Sequence, residues 1–247
     1  MTFVEACRAF VETRGRLPAN ITIFLEGEEE SGSPSLVPFL KEHRQELAAD
    51  IALVCDTGMW QPGMPSICTS LRGLLGQEII VQGSSRDLHS GAYGGPAANL
   101  IRVLIDILAS LHDDTGRVTI PGFYDGVPDT PAALKDQWDA LGFSTEAFLG
   151  AVGLSHPADG TGFTALEMLW SRPTCDCNGI TGYAGDGLKT VLPAEARAKV
   201  SCLLVGSQDP FAIREAFQAQ VRTMVSDDCS VTFLDHCASP GLRFMLM

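Results

Sequence analysis

The stretch Ile21-Thr22-Ile23-Phe24-Leu25, followed at once by Glu26-Gly27-Glu28-Glu29-Glu30-Ser31-Gly32-Ser33, sets the expectation for the fold. Its first five residues are a β-rich apolar run bounded by turn formers, the pattern of a buried strand. Four carboxylates then fall within five positions. At the mouth of a buried strand their repulsion is relieved by bound cations or by protonation of one group. A second apolar run, Asp50 to Cys55, ends in Asp56-Thr57-Gly58. Near-continuous strands separated by helical patterns indicate a parallel sheet covered on both faces, and ligands gather beyond the carboxyl ends of such strands. Both acidic strand ends are thereby aimed at one crevice.

Outward from this stretch, Phe3, Val4, Cys7, Phe10 and Val11 lie at helical spacing over residues 2–14, and Ser33-Pro34 opens a helix to about Ala48. From Gly73 the texture changes. Residues 76–83 read as a strand, 96–112 as an amphipathic helix, 178–183 and 196–205 as strands, 209–225 as a helix capped by Asp209-Pro210, and 229–234 as a last strand. The Pro/Gly-rich stretch 113–177 reads as an inserted arm with short helices near 131–141 and 144–151. The order strand, helix, strand, strand, helix, strand is that of a ferredoxin-like sheet with one helical face. The expected class is therefore α/β. It comprises a partial parallel-sheet domain over 1–72, an α+β ferredoxin-like domain over 73–237, and 238–247 as the start of a return to the first. In 196–205, Ala196, Ala198, Val200, Cys202 and Leu204 share one face, which leaves Leu203 on the otherwise polar face with Arg197, Lys199 and Ser201.

With 30 acidic against 17 basic residues the formal net charge is −13. Nucleic-acid affinity rests on clustered Lys and Arg, so nucleic acid is not an expected partner. No apolar run approaches bilayer-spanning length and the N-terminus lacks the layout of a signal peptide, which points to a soluble, cytoplasmic chain with no membrane contact. Of the eight scattered cysteines only Cys175 and Cys177 are close together. With no second pair or His beside them to complete a zinc site, they read as buried or loop thiols.

Grouped carboxylates suit divalent cations, because oxygen ligands bind Zn²⁺, Mn²⁺ or Mg²⁺ and an unliganded neighbour can take a proton from bound water. The plainer reading is a solvated acidic face. Taken singly, His89 in its Gly-rich loop is a surface or hydrogen-bonding residue, and Thr190 a strand-edge threonine.

Four ordered motifs change that balance: residues Leu25 to Ser33, Asp56 after an apolar strand, Arg86-Asp87-Leu88-His89-Ser90-Gly91-Ala92-Tyr93-Gly94-Gly95, and Lys189-Thr190-Val191-Leu192-Pro193. Together they resemble the M20 metallopeptidases, in the branch of dipeptidases related to carnosinase. The resemblance implies a phosphorylase/hydrolase-like catalytic domain plus a lid through which the chain forms a homodimer. It implies hydrolysis of a dipeptide or similar small amide at a site of two divalent metal ions, Zn or Mn. By the same resemblance Glu29 is the general base, Glu30 ligates one metal and Asp56 the other. His89 reaches the active site of a partner subunit to stabilise the oxyanion, and Thr190 contacts substrate. Glu28 has no assigned role and is expected to be solvated, and His236, at the close of the last lid strand, is expected to be a hinge residue.

The family's upstream His-x-Asp motif, its bridging Asp and its C-terminal His ligand have no counterpart in these 247 residues. The expectation is a chain truncated at both ends and inactive alone, with a non-catalytic dimerisation or interaction module derived from the lid as the alternative. At Leu203 the family carries an Arg that grips the substrate carboxylate, a charge-assisted contact of about 1.5–3 kcal/mol.

Overall fold

The computed structural model describes residues 2–53, 58–158, 162–182 and 187–243. They fall into two compact units, Met1–Pro65 and Ser66–Met247.

Among its described residues the first unit is helical: α1 (Thr2–Arg14), a 3-10 turn over Glu29–Ser31, and α2 (Leu36–Glu42). The apolar stripe of α1 is in place, yet Phe3, Val4, Phe10 and Val11 are all exposed. Helix α2 is shorter than the expected span to 48, because His43 leaves helical geometry and serves as its C-cap. Phe39 of α2 stacks between Phe24 and His43, with ring centroids 5.5 and 4.2 Å away. Among the described residues the two expected runs do not form hydrogen-bonded strands. Residues 21–25 are irregular and exposed, Leu25 to 86%, as are 51–53, and 54–57 lie outside the described residues. A strand exists by the ladder its neighbours complete, and no described strand of this unit lies beside either run.

The second unit contains the sheet that the sequence pattern anticipates. Its strands are β1 (Ser70–Leu71), β2 (Gly73–Gln82), β3 (Leu88–His89), β4 (Thr174–Thr181), β5 (Val191–Leu192), β6 (Glu195–Leu204), β7 (Ser230–Ser239) and β8 (Leu242–Arg243). Its helices are α3 (Ser90–Tyr93), α4 (Leu100–Ala109), α5 (Ala132–Asp139), α6 (Thr145–Gly150), α7 (Ala165–Trp170) and α8 (Pro210–Thr223). Four strands form an antiparallel sheet in the order β4-β6-β2-β7, the ferredoxin-like order, while β1 pairs with β8 and β3 with β5. Helix α4 packs on β2 and β6, and α8 on β2 and β7. The core between them holds Leu75, Ile79, Val81, Leu104, Ile107, Val200, Leu204, Phe217 and Val221. Along β6 buried residues alternate with partly buried or exposed ones as expected, which places Leu203 opposite Leu74 and Thr174 on the face away from the core.

Caps decide where the helices begin. Asn99 accepts hydrogen bonds from the N–H groups of Ile101 and Arg102, so α4 starts at Leu100 rather than 96. Asp209 does the same for Phe211 and Ala212, with Pro210 in the first helical position, as expected. Helix α7 is absent from the sequence-based reading. Its signal was present as Thr164-Ala165-Leu166-Glu167: Thr164 Oγ1 accepts from Glu167 N at 3.2 Å, and Glu167 Oε2 accepts from Thr164 N at 2.9 Å.

Strand β4 starts at Thr174, so the last residues of the expected arm belong to the sheet, with Cys175 opposite Cys202. Strand β7 continues past 234 to Ser239, which corrects the reading of His236 as a hinge. His236 is the extra residue of a bulge between the pairs Gly76↔Cys237 and Gln77↔Asp235, and its Nε2 lies 3.2 Å from Glu78 Oε2. Gln77, only 2% exposed, is fully engaged at this bulge. Its Nε2 donates to Asp235 Oδ1 and to the Gly76 carbonyl, and its Oε1 accepts from Gln218 of α8, each at 2.9 Å.

Candidate active site

The best-defined part of the candidate site is the loop that carries His89. The two-residue pairing of β3 with β5 sets Leu88 opposite Leu192 and His89 opposite Val191. Two further bonds hold this short ladder: Ser90 N–H donates to the Thr190 carbonyl at 2.9 Å, and Ala194 N–H donates to Asp87 Oδ1 at 2.8 Å. Asp87 was part of the quoted motif but had no role, and the structure makes it the brace between the two segments.

Within that frame His89 is exposed and caps α3, its Nδ1 accepting from Gly91 N–H at 3.1 Å. An imidazole nitrogen that accepts carries no proton, so the neutral ring bears its proton on Nε2. Nε2 faces Thr190 Oγ1 at 3.5 Å, at the outer limit of a hydrogen bond. The Nε2–H is therefore weakly occupied, and the ring that carries it is exposed. Gly91 makes the arrangement possible, since a Cβ there would lie 2.8 Å from His89 Cε1. Residues 89 and 190, far apart in sequence, are thus brought together.

The acidic cluster is built locally. Glu29 and Glu30 are exposed on the 3-10 turn, which ends at Gly32 in the left-handed region with φ 81°. Glu28, expected to be solvated, is partly buried, and its Oε2 accepts from Ser35 N–H at 3.1 Å, tying the acidic turn to the start of α2. Glu28 is thereby engaged, while Glu29 and Glu30 are exposed. Asp56 lies outside the described residues. Among the described residues no three His, Cys, Asp or Glu side chains come together as a metal cluster. By donor chemistry the open carboxylates of Glu29 and Glu30 fit a hard or borderline divalent cation.

On the open face of the four-stranded sheet, Glu78 meets Arg197 Nη1 at 3.5 Å and His236 at 3.2 Å, and Arg197 Nε meets Glu195 Oε1 at 2.6 Å. Hydrogen bonds from Arg197 and Gln82 hold the Glu195 carboxyl below the usual carboxylate range. Leu203 stands on this same charged face, where an apolar residue has no electrostatic partner.

The histidine-bearing loop braced beside a ferredoxin-like sheet falls within a recognised domain, and the chain belongs to the M20 peptidases: the peptidase dimerisation domain of that family matches residues 69–229. Among curated relatives, the Cys-Gly metallodipeptidase of Candida albicans is 32% identical over 188 residues, covering 75% of this chain and 39% of the relative. The human β-Ala-His dipeptidase is 27% identical, covering 87% of this chain and 43% of its own length. An M20 family metallo-carboxypeptidase from Sulfolobus solfataricus superposes with a TM-score of 0.73 at 30% identity, covering 88% of this chain and 49% of that one. Human carnosine dipeptidase 1 shares the fold over 99% of this chain and 53% of its own, with a TM-score of 0.83 at 24% identity. The chain spans about half the length of the relatives it matches, or less. Among the described residues no helix is long and apolar enough to cross a membrane.

Proposed function

We propose that this chain carries the lid and part of the catalytic domain of an M20 dipeptidase, hydrolysing a dipeptide or similar small amide when the rest of the site is supplied. The observation that carries the reading is the His89 loop, whose exposed ring sets Nε2 beside Thr190 within the matched dimerisation domain. In this reading residues 1–72 contribute to the catalytic domain and 73–237 form the lid, through which two copies associate. His89 donates to the oxyanion that forms as the amide carbonyl is attacked, Thr190 contacts the substrate, and Glu29 accepts a proton from the attacking water and returns it to the leaving amine. Glu30 and Asp56 would hold a pair of divalent cations, Zn²⁺ or Mn²⁺, whose chemistry is to make that water a nucleophile at neutral pH. The exposed carboxylate of Glu30 supports this assignment.

The 247 residues alone are expected to leave Cys-Gly and β-Ala-His uncleaved in the presence of Mn²⁺ or Zn²⁺. Metal-dependent hydrolysis that vanishes in Glu29→Gln overturns that expectation. The lid assignment is tested by grafting residues 69–229 in place of the matching segment of the Candida albicans relative. The graft should dimerise and hydrolyse Cys-Gly, and His89→Ala within it should lower kcat by about 10²–10³-fold, the cost of one oxyanion donor. A graft that is fully active with His89→Ala removes the role given to that residue.

A second reading, a non-catalytic dimerisation module, is favoured by one observation: Leu203 leaves its position on the open face without the guanidinium the first reading would use. Light scattering on the full chain tests the association that both readings require, and a stable monomer would sink the module outright, whereas cleavage of Cys-Gly by the graft favours the first reading.

A further inference from the structure

Cys175 and Cys202 are register partners on the neighbouring antiparallel strands β4 and β6. Directly opposed residues on such strands have Cα atoms about 4.5–5.5 Å apart, inside the roughly 4.4–6.8 Å that a disulfide spans. The two side chains also lie on one face of the sheet. Both are buried in the cluster beneath α4 and α8, 6% and 2% exposed, and both are free thiols. A hydrogen bond to Cys175, and then burial, push the Cys202 thiol well above its usual range. In the closed sheet the Cys202 thiol is therefore protonated and, like its buried neighbour, shielded from oxidant.

The strand that carries Cys175 is placed to open. Among the described residues β4 is an outer strand with β6 as its one partner in the sheet, and a bulge between Cys177 and Gly179 interrupts its register. Outer strands with interrupted ladders are drawn from the low-stability end of local opening. We propose that Cys175 and Cys202 are a dithiol which a hydroperoxide closes into a cross-strand disulfide during such openings, fastening β4 to the sheet. In the first step one sulfur attacks the terminal peroxide oxygen, the O–O bond breaks, and a sulfenic acid forms while the thiol proton leaves with the other oxygen, as water from hydrogen peroxide or as the alcohol from an organic hydroperoxide. In the second the other thiol attacks that sulfur, its proton leaves with the hydroxyl as water, and the S–S bond forms. The two sulfurs together lose the two electrons that the peroxide gains.

The test uses the full chain, reduced and then exposed to hydrogen peroxide at neutral pH. Remaining thiols are alkylated under denaturing conditions and the digest is read by mass spectrometry. A linked pair of peptides joining Cys175 to Cys202, lighter by two hydrogens and opened by dithiothreitol, is expected. Tm should rise on oxidation, and the rate of linkage should increase several-fold in sub-denaturing urea. Cys177, which is exposed, competes for oxidant, so the measurement is repeated in Cys177→Ser, where the same link and the same rise in Tm are expected. Cys202→Ala should lose the rise. Recovery of Cys175 and Cys202 as alkylated thiols after Cys177 is fully oxidised overturns the proposal, as does a rise in Tm that survives Cys202→Ala.

Discussion

Replacing Glu167 by Gln tests how the arm is held. Glu167 is 4% exposed, yet it sits in the first turn of α7 with Lys135 Nζ from α5 at 2.6 Å and Thr164 N–H at 2.9 Å. Glutamine keeps the shape and the acceptor for Thr164 but loses the charge. The Lys135 side chain is 45% exposed, so its ammonium can return to water and the full penalty of an orphaned buried charge does not apply. A hydrogen bond to a charged group contributes about 1.5–3 kcal/mol and an exposed ion pair about 0–1 kcal/mol. One buried and one half-exposed partner place the loss between these, at about 1–2 kcal/mol. The pH dependence has a definite sign. Burial raises the Glu167 carboxyl, but the bonds from Lys135 and Thr164 outweigh it and the folded value ends lowered. A depressed carboxylate stabilises the fold fully above its unfolded value of about 4.3 and loses that stabilisation as pH falls through the folded value. The gap between wild type and Glu167→Gln should therefore be complete at pH 7 and shrink in acid. Urea unfolding followed by tryptophan fluorescence reads it directly, because Trp138 and Trp170 meet edge to face at 5.3 Å within the same arm. Equal midpoints at pH 7, or a gap that widens below pH 4, would refute the reasoning.

Three further outcomes are expected. Gly206 has φ +63°, and a Cβ there would strike the Gly126 carbonyl oxygen and lie 2.5 Å from Pro128 Cδ, so Gly206→Ala should cost about 2–4 kcal/mol in urea unfolding, from left-handed strain plus overpacking. Gly91→Ala should leave stability within about 0.5 kcal/mol, because the clash is with a side chain that can turn. In the grafted enzyme it should lower kcat by displacing His89, and unchanged kcat would argue against the positioning described. Leu203→Arg in the same graft should lower KM for a dipeptide by about 10–100-fold, the equivalent of one charge-assisted contact to its carboxylate. An unchanged KM would remove that role from the open face.

The lid was legible because each of its signals is local. The alternation along 196–205 reports one buried face of β6, and Asp209-Pro210 reports the start of α8, since cap and proline act on adjacent residues. The cap at Asn99 moves the start of α4, and the Thr164/Glu167 box marks a helix, α7, that the hydrophobic pattern alone does not reveal. The bulge at His236 was not legible, because an extra residue in one strand is defined only against its partner, and that partner, β2, is more than 150 positions away. Run 21–25 and the described residues 51–53 show the opposite failure. Their composition is that of strands, but a strand needs a neighbour to complete its backbone bonding. Of the site, the motif around His89 was legible as a likeness, whereas the direction of its proton depends on Gly91 N–H and could be read only from the fold.

The buried amide of Gln77 has a consequence for how the sheet assembles. A slip of β7 by one residue against β2 would carry Asp235 to the other face and leave the Gln77 amide with one partner fewer inside an apolar layer, at a cost of about 1–3 kcal/mol. A leucine at this position would satisfy the hydrophobic pattern in either alignment. The glutamine satisfies only one, so it acts as a key that admits a single strand alignment, and a Gln77→Leu chain would be expected to fold compactly while losing the means to tell adjacent registers apart.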